Sequence, residues 1–305
     1  MTHSRPAIRE FLDSRSLAPR RDLGQNFVAD PNTVRRIADL ADVGAGDRVV
    51  EIGAGLGSLT LALADTGADV TAIEVDRGLV PVLREVVADR SNVTVVEGDA
   101  MSLDWHDLLT GRTAGHADTG DTSDTGHTAH TDHTIGAAAD LGWVLVANLP
   151  YNVATPLICD LLDDVPEIRR MIVMVQREAA ERFAARPRTP AYGAVSVKIA
   201  YWATARIVGH VPASVFVPRP NVESSLVEIP RREPPATDPH LVFDLVRTAF
   251  GQRRKMLRKS LAGTVTPEAY AAAGIDPTAR PEELGVDDWC RLAEARTATD
   301  TGGPR

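Results

Sequence analysis

Cysteine is almost missing from this 305-residue chain. The two present, Cys159 and Cys290, stand far apart and match no metal or redox spacing. That excludes a disulfide framework and points to reduced, buried thiols in a cytosolic protein. Long apolar runs are also missing. None approaches the roughly 18 residues that span a bilayer. The opening Met1-Thr2-His3-Ser4-Arg5-Pro6 carries no apolar export segment, so neither a membrane partner nor secretion is expected and the reading is a cytoplasmic protein. Aromatic residues make up only 5%, and lysine occurs three times, at Lys198, Lys255 and Lys259. With arginine supplying nearly all positive charge, the arginine total reflects genome composition, and position has to be read instead.

What is present is ordinary for a globular chain: 44% hydrophobic and 25% charged residues. The length suggests about two domains. The net charge of −9 argues against a polyanionic partner, but its distribution argues for one. Residues 104–140 hold seven Asp and one Arg, whereas residues 247–259 hold Arg247, Arg253, Arg254, Lys255, Arg258 and Lys259 and no acid. A phosphate backbone responds to local clusters of charge.

The hydrophobic pattern alternates strands with helices. A helix is expected over 33–41 and strands over 48–52, 69–74, 92–97, 143–147 and 171–175. A helix should begin at Ser58 as N-cap, and another should cover 77–89. This implies an α/β protein with a doubly wound, mostly parallel sheet, whose ligands bind at the carboxyl ends of the strands. Residues 110–140 interrupt the pattern with a low-complexity stretch too poor in large apolar residues to order itself. His127, His130 and His133 recur there every third residue, which would suit a transition metal, but a solvated insertion is the simpler reading and no metal is expected. After a Pro-rich linker at 231–239, helical patterning covers 240–262, 266–274 and 281–296. The expected organisation is a catalytic domain over 1–232, a small helical domain over 239–297 and a disordered tail over 298–305.

Four segments carry chemistry. Glu51-Ile52-Gly53-Ala54-Gly55-Leu56-Gly57 lies between a strand and a helix, where Gly53 and Gly55 let the backbone approach a ligand. It is neither a P-loop nor the dinucleotide G-x-G-x-x-G, and an acid stands two residues before the first glycine. Glu74 ends the second strand about 20 residues later, where an acid can accept both hydroxyls of a ribose, with Asp76 as competitor. Asp99 follows the third strand and can accept from an adenine amino group. Asn148-Leu149-Pro150-Tyr151 follows the fourth strand. The exocyclic amine of a nucleobase is a weak nucleophile because its lone pair is delocalised. The Asn148 side-chain oxygen and the Pro150 carbonyl can accept its two hydrogens, and Tyr151 can stack on a flipped-out base.

Leu23-Gly24-Gln25-Asn26-Phe27, the glycine loop, Asn148-Leu149-Pro150-Tyr151-Asn152, Val217-Pro218-Arg219-Pro220-Asn221-Val222-Glu223-Ser224 and Phe250-Gly251-Gln252-Arg253-Arg254-Lys255 occur in this order. Together they resemble the KsgA-type small-subunit ribosomal RNA adenine dimethyltransferases, from about residue 20 to 295. The resemblance implies a class I, Rossmann-like methyltransferase fold, S-adenosylmethionine as methyl donor and no metal. It implies a cofactor site of Asn26, Val28, Gly53, Gly55, Glu74, Asp99 and Asn148. It also implies two methyl transfers to N6 of each of two adjacent adenosines in the hairpin loop near the 3′ end of the small-subunit RNA, as part of subunit biogenesis. The partner expected is the immature small subunit, met by a monomer. The basic stretch 252–259 is expected to form a helix whose Arg253, Arg254, Lys255, Arg258 and Lys259 contact RNA phosphates, read by shape, with Arg20 and Arg21 extending that surface. Two other readings remain open: a large-subunit RNA dimethyltransferase with the same chemistry, and an assembly factor that has kept the fold and lost turnover.

Overall fold

The computed structural model describes residues 4–111 and 142–301. Most of the low-complexity insertion, including His127, His130 and His133, and the last four residues lie outside the described residues. In chain order the elements are α1 (Arg5–Ser14), β1 (Phe27–Val28), α2 (Pro31–Ala41), β2 (Arg48–Ile52), α3 (Ser58–Ala64), β3 (Asp69–Glu74), α4 (Val80–Val86), β4 (Val93–Glu97), α5 (Trp105–Thr110), β5 (Trp143–Asn148), α6 (Ala154–Asp164) and β6 (Ile168–Gln176). They continue with α7 (Arg177–Phe183), α8 (Ala194–Trp202), β7 (Arg206–Val211), β8 (Phe216–Val217), β9 (Ser224–Pro230), α9 (Pro239–Phe250), α10 (Leu257–Ser260), α11 (Pro267–Ala273) and α12 (Val286–Thr301).

Seven strands form one sheet in the order β4-β3-β2-β5-β6-β9-β7. The first five run parallel, and β9 is antiparallel to both of its neighbours. Both faces are covered, as a parallel sheet requires. Alternate residues of β5 show it: Leu145 and Ala147 pack with Leu157, Ile158 and Leu161 of α6, while Val144 and Val146 pack with Ile37 and Ala41 of α2 and Leu63 of α3. Each such aliphatic side chain contributes about 1.5–3 kcal/mol on burial. Glu51 breaks the rule, a carboxyl only 2% exposed beside Val49, Val50 and Ile52 of β2.

Local chemistry sets the helix starts. The Asp30 side chain accepts from the Asn32 and Thr33 amides and opens α2 two residues before the apolar periodicity begins. The N-cap of α3 is Gly57, left-handed at φ 80°, and not Ser58, which is the first helical residue. β7 and β9 are not among the strands expected above: β9 begins with two buried serines, and β7 is interrupted by a register shift at Gly209.

The helical region departs from expectation in three places. The basic stretch 252–259 is not one helix. The chain turns after Phe250, and the Leu257 and Arg258 amides donate to the carbonyls of Ala279 (2.8 Å) and Pro277 (2.9 Å) and not back along a helix. The expected 281–296 helix is split by Gly285, and α12 continues through residue 297, where the tail was expected, to Thr301. Finally, α8 belongs to both cores. Its Val197 and Tyr201, with Tyr192 just before it, lie in one apolar cluster with Val242, Leu245, Leu257 and Trp289. The linker is also tied down. The Arg231 guanidinium donates to the carbonyls of Leu161, Leu162, Val165 and Ile168 at 2.8–2.9 Å and so caps the end of α6.

Candidate active site

Strands β2, β3 and β5 end side by side, and beyond their carboxyl ends lies a solvent-open cavity. This is where a doubly wound sheet presents its loops.

The glycine loop makes the floor. The Gly53 and Ala54 amides both donate to the Ile73 carbonyl, curling the chain over the end of β3. The Gly55 amide then donates to Glu74 Oε2 at 2.7 Å, and the Asp76 amide donates to Glu74 Oε1 at 2.8 Å. Each carboxylate oxygen keeps acceptor capacity beyond that bond, enough to take a pair of hydroxyls. Burial pushes the Glu74 carboxyl up, and these two amides oppose the shift. Gly55 is required here: at φ +58° its Cβ would stand 3.2 Å from the Phe27 ring. Asp76 does not line the cavity, and its oxygens accept from Gln25 Nε2 (2.7 Å) and the Gly78 amide (2.9 Å).

The N-terminal segment makes the roof. Ile8 and Leu12 of α1 bury against Leu56, Leu79 and Val82, and β1 pairs with β8. Between these anchors, Gly24 lies against Pro150 and Asn26 reaches the polar turn. Asn148 Nδ2 donates to the Asn26 carbonyl at 3.0 Å, and Asn26 Nδ2 donates to the Gly24 carbonyl at 2.9 Å. With Nδ2 committed, Asn148 Oδ1 is the end left to accept. Val28 lines the same cavity, as do Leu149, Pro150 and Tyr151. The Tyr151 hydroxyl meets Ser224 Oγ at 3.0 Å, which fixes the ring from the far side of β6.

Three expectations need correction. The Pro150 carbonyl is not open: it accepts from the Val153 (3.2 Å) and Ala154 (3.1 Å) amides at the start of α6. The Leu149 carbonyl accepts no such bond among the described residues. Asp99 does not line the cavity. It is exposed, and its side chain accepts from the Met101 amide at 3.0 Å in the turn that leads β4 away. Arg253 is not a free cation either: it pairs with Glu282 at 2.7 Å and donates to the Pro190 carbonyl, tying the loop before α8 to the segment before α12. Arg254, Lys255, Arg258 and Lys259 are exposed, and no ion pair engages them within the described residues. Arg20 is paired with Asp22.

Glu51 is the residue that sequence reasoning passed over. It was visible only as the acid preceding the glycines, yet it lines the cavity. Burial pushes its carboxyl up to about 8, the neighbouring Glu74 adds to the shift, and the Thr60 hydroxyl opposes it. Glu51 Oε2 has no hydrogen-bond partner. Two buried acids and no cation among the lining residues suit a ligand that brings positive charge, as S-adenosylmethionine does on its sulfur and its ammonium group. No cluster of His, Cys, Asp or Glu among the described residues could hold a metal ion.

Residues 17–297 match the family model described as ribosomal RNA adenine dimethylase. The ribosomal RNA small subunit methyltransferase A of Cutibacterium acnes is 44% identical over 95% of this chain and 92% of its own. That of Thermobifida fusca is 42% identical over 95% and 94%. Among solved structures, the 23S rRNA methyltransferase ErmE superposes with a TM-score of 0.60 at 25% identity, covering 89% of this chain and 99% of its own. A dimethyladenosine transferase from Plasmodium falciparum shares the fold, with a TM-score of 0.66 at 21% identity over 86% of this chain and 94% of its own. The chain belongs to the ribosomal RNA adenine dimethylase family, the enzymes that methylate adenine from S-adenosylmethionine.

Proposed function

We propose that this enzyme dimethylates N6 of two adjacent adenosines in the hairpin loop near the 3′ end of small-subunit ribosomal RNA, acting as a cytoplasmic monomer on the immature subunit. The observation that carries the reading is the Asn26–Asn148 hydrogen bond, which leaves Asn148 Oδ1 and the Leu149 carbonyl as adjacent acceptors at the mouth of the cofactor cavity.

When bound, S-adenosylmethionine supplies an electrophilic methyl group on a positively charged sulfur. The remaining work belongs to the chain. Glu74 holds the ribose hydroxyls, and the backbone at Gly53 and Gly55 lets the cofactor approach the sheet. Asn26 and Val28 close the roof. The two acceptors take the two hydrogens of the adenine amine, so that its lone pair faces the methyl group, and Tyr151 stacks on the extruded base. The amine of the monomethylated product keeps one hydrogen for Asn148, so the same pocket serves the second transfer. No carboxylate base is required when the proton leaves to water after transfer. Arg254, Lys255, Arg258 and Lys259 bind phosphates of the RNA helix.

The test offers labelled cofactor to immature small and large subunits. Label is expected in the small-subunit RNA alone, and label confined to the large subunit would overturn the reading. Asn148→Ala should lower transfer by about 100-fold or more while RNA binding stays close to normal. Normal turnover by that variant would remove Asn148 from its role.

A further inference from the structure

The cofactor cavity carries an ionisable group that the methyl-transfer chemistry does not use. Glu51 sits in the middle of the sheet, paired in register with Ala72 of β3 and Val146 of β5, and it is 2% exposed. The groups facing it can be enumerated. From β3 comes Glu74, an acid. From α3 comes the Thr60 hydroxyl. From β5 come the neutral Asn148 and Leu149, and from the N-terminal segment the neutral Gln25 and Asn26. No Lys, Arg or His is among the residues that line the cavity. An ionised carboxylate in that place would stand largely shielded from solvent, without a counter-ion and beside a second acid, which is strongly disfavoured. One of its oxygens is already without a partner.

We infer that Glu51 is a charge-matching residue: it holds a proton while the cavity is empty and releases it to solvent when the cationic cofactor enters. Loading then exchanges one cation for another. The O–H bond of the carboxyl breaks, the proton passes to the buffer, and the carboxylate left behind faces the positive charge of the ligand. No other bond is made or broken. The inference rests on the assignment of this cavity as the cofactor site and adds that cofactor affinity depends on pH through this one side chain.

The consequence is quantitative. With the empty-state carboxyl titrating at about 8, loading at pH 7 should release about 0.9 proton per cofactor, and affinity should rise up to about tenfold per pH unit below pH 8. The experiment is calorimetric titration of the full-length protein with S-adenosylmethionine at pH 7, repeated in buffers of different ionisation enthalpy. The slope of heat against ionisation enthalpy counts protons directly. The α-amino group of the cofactor titrates at about 7.7–8.0 in its own right, so Glu51→Gln, which keeps the shape and cannot ionise, supplies the baseline. Release of about one proton by the wild type, lost in Glu51→Gln, is the expected result. Saturable binding with less than about 0.2 proton released in the wild type overturns the inference and leaves the cavity assignment standing. Release that persists in Glu51→Gln and disappears in Glu74→Gln moves the proton to Glu74 and also overturns it. No saturable heat in the wild type would instead remove the cavity assignment. Counting protons on the wild type alone keeps the test decisive even if a variant fails to fold.

Discussion

Gly24→Ala perturbs the polar turn from the N-terminal segment packed against it. Gly24 has φ +64°, and a Cβ built there would lie 2.9 Å from Pro150 Cβ. Alanine pays about 1–2 kcal/mol for that left-handed conformation. The new methyl must also move off by roughly half an ångström or more to reach a normal carbon–carbon separation of about 3.5–4.0 Å. The segment that gives way is the roof, and two residues further on lies the Asn26 carbonyl that holds Asn148 Nδ2. A misplacement on the order of 1 Å at a reacting group can cost about 100-fold in rate. We expect kcat/KM for labelled methyl transfer to fall about 10- to 100-fold, while the melting temperature drops by only about 2–4 °C per kcal/mol lost. Gly44→Ala is the control: its nearest atom would be the Thr66 carbonyl oxygen at 3.9 Å, so activity should not change. A folded Gly24→Ala enzyme within twofold of wild type would refute the claim that the Gly24–Pro150 contact positions Asn148.

Four further outcomes are expected. Glu51 keeps its proton to higher pH folded than unfolded, so the empty protein loses stability as pH rises from the ordinary carboxylate value towards about 8. Glu51→Gln should abolish a decline of about 3 kcal/mol between pH 5.5 and pH 8, read by denaturant titration without cofactor; identical pH profiles would contradict the burial argument. Replacing Arg254, Lys255, Arg258 and Lys259 by alanine should reduce the slope of log affinity against log salt for RNA by about 0.7–0.9 per cation that contacts a phosphate. Arg253→Ala should instead lower thermal stability, since Arg253 bridges Glu282 and the Pro190 carbonyl; an effect on the salt slope alone would reverse that distinction. Tyr270 is buried with an unpartnered hydroxyl, so Tyr270→Phe should be neutral or stabilising by about 1 kcal/mol in a thermal melt.

By itself the sequence determined the strand–helix alternation, the glycine loop, the acid at the end of β3 and the polar turn at the end of β5. Each is a short-range pattern: a buried parallel strand is a run of Val, Ile and Leu, and a tight turn needs particular residues at particular places. Even the second core announced itself by helical periodicity. Tertiary structure alone decided who touches whom. Which carbonyl of Leu149 and Pro150 stays open depends on where the first turn of α6 finds its acceptors. Whether Glu74 or Asp76 faces the cavity depends on Gln25, some 50 residues earlier in the chain. Whether a cation is free depends on the distant acid beside it, as Arg253 and Glu282 show. The meaning of Glu51 changed most. In the sequence it is one acid before a glycine motif. In the fold it is a carboxyl sealed beneath the cavity with no cation to answer it, because desolvation and charge pairing are set by whatever the folded chain brings near and not by neighbours in sequence.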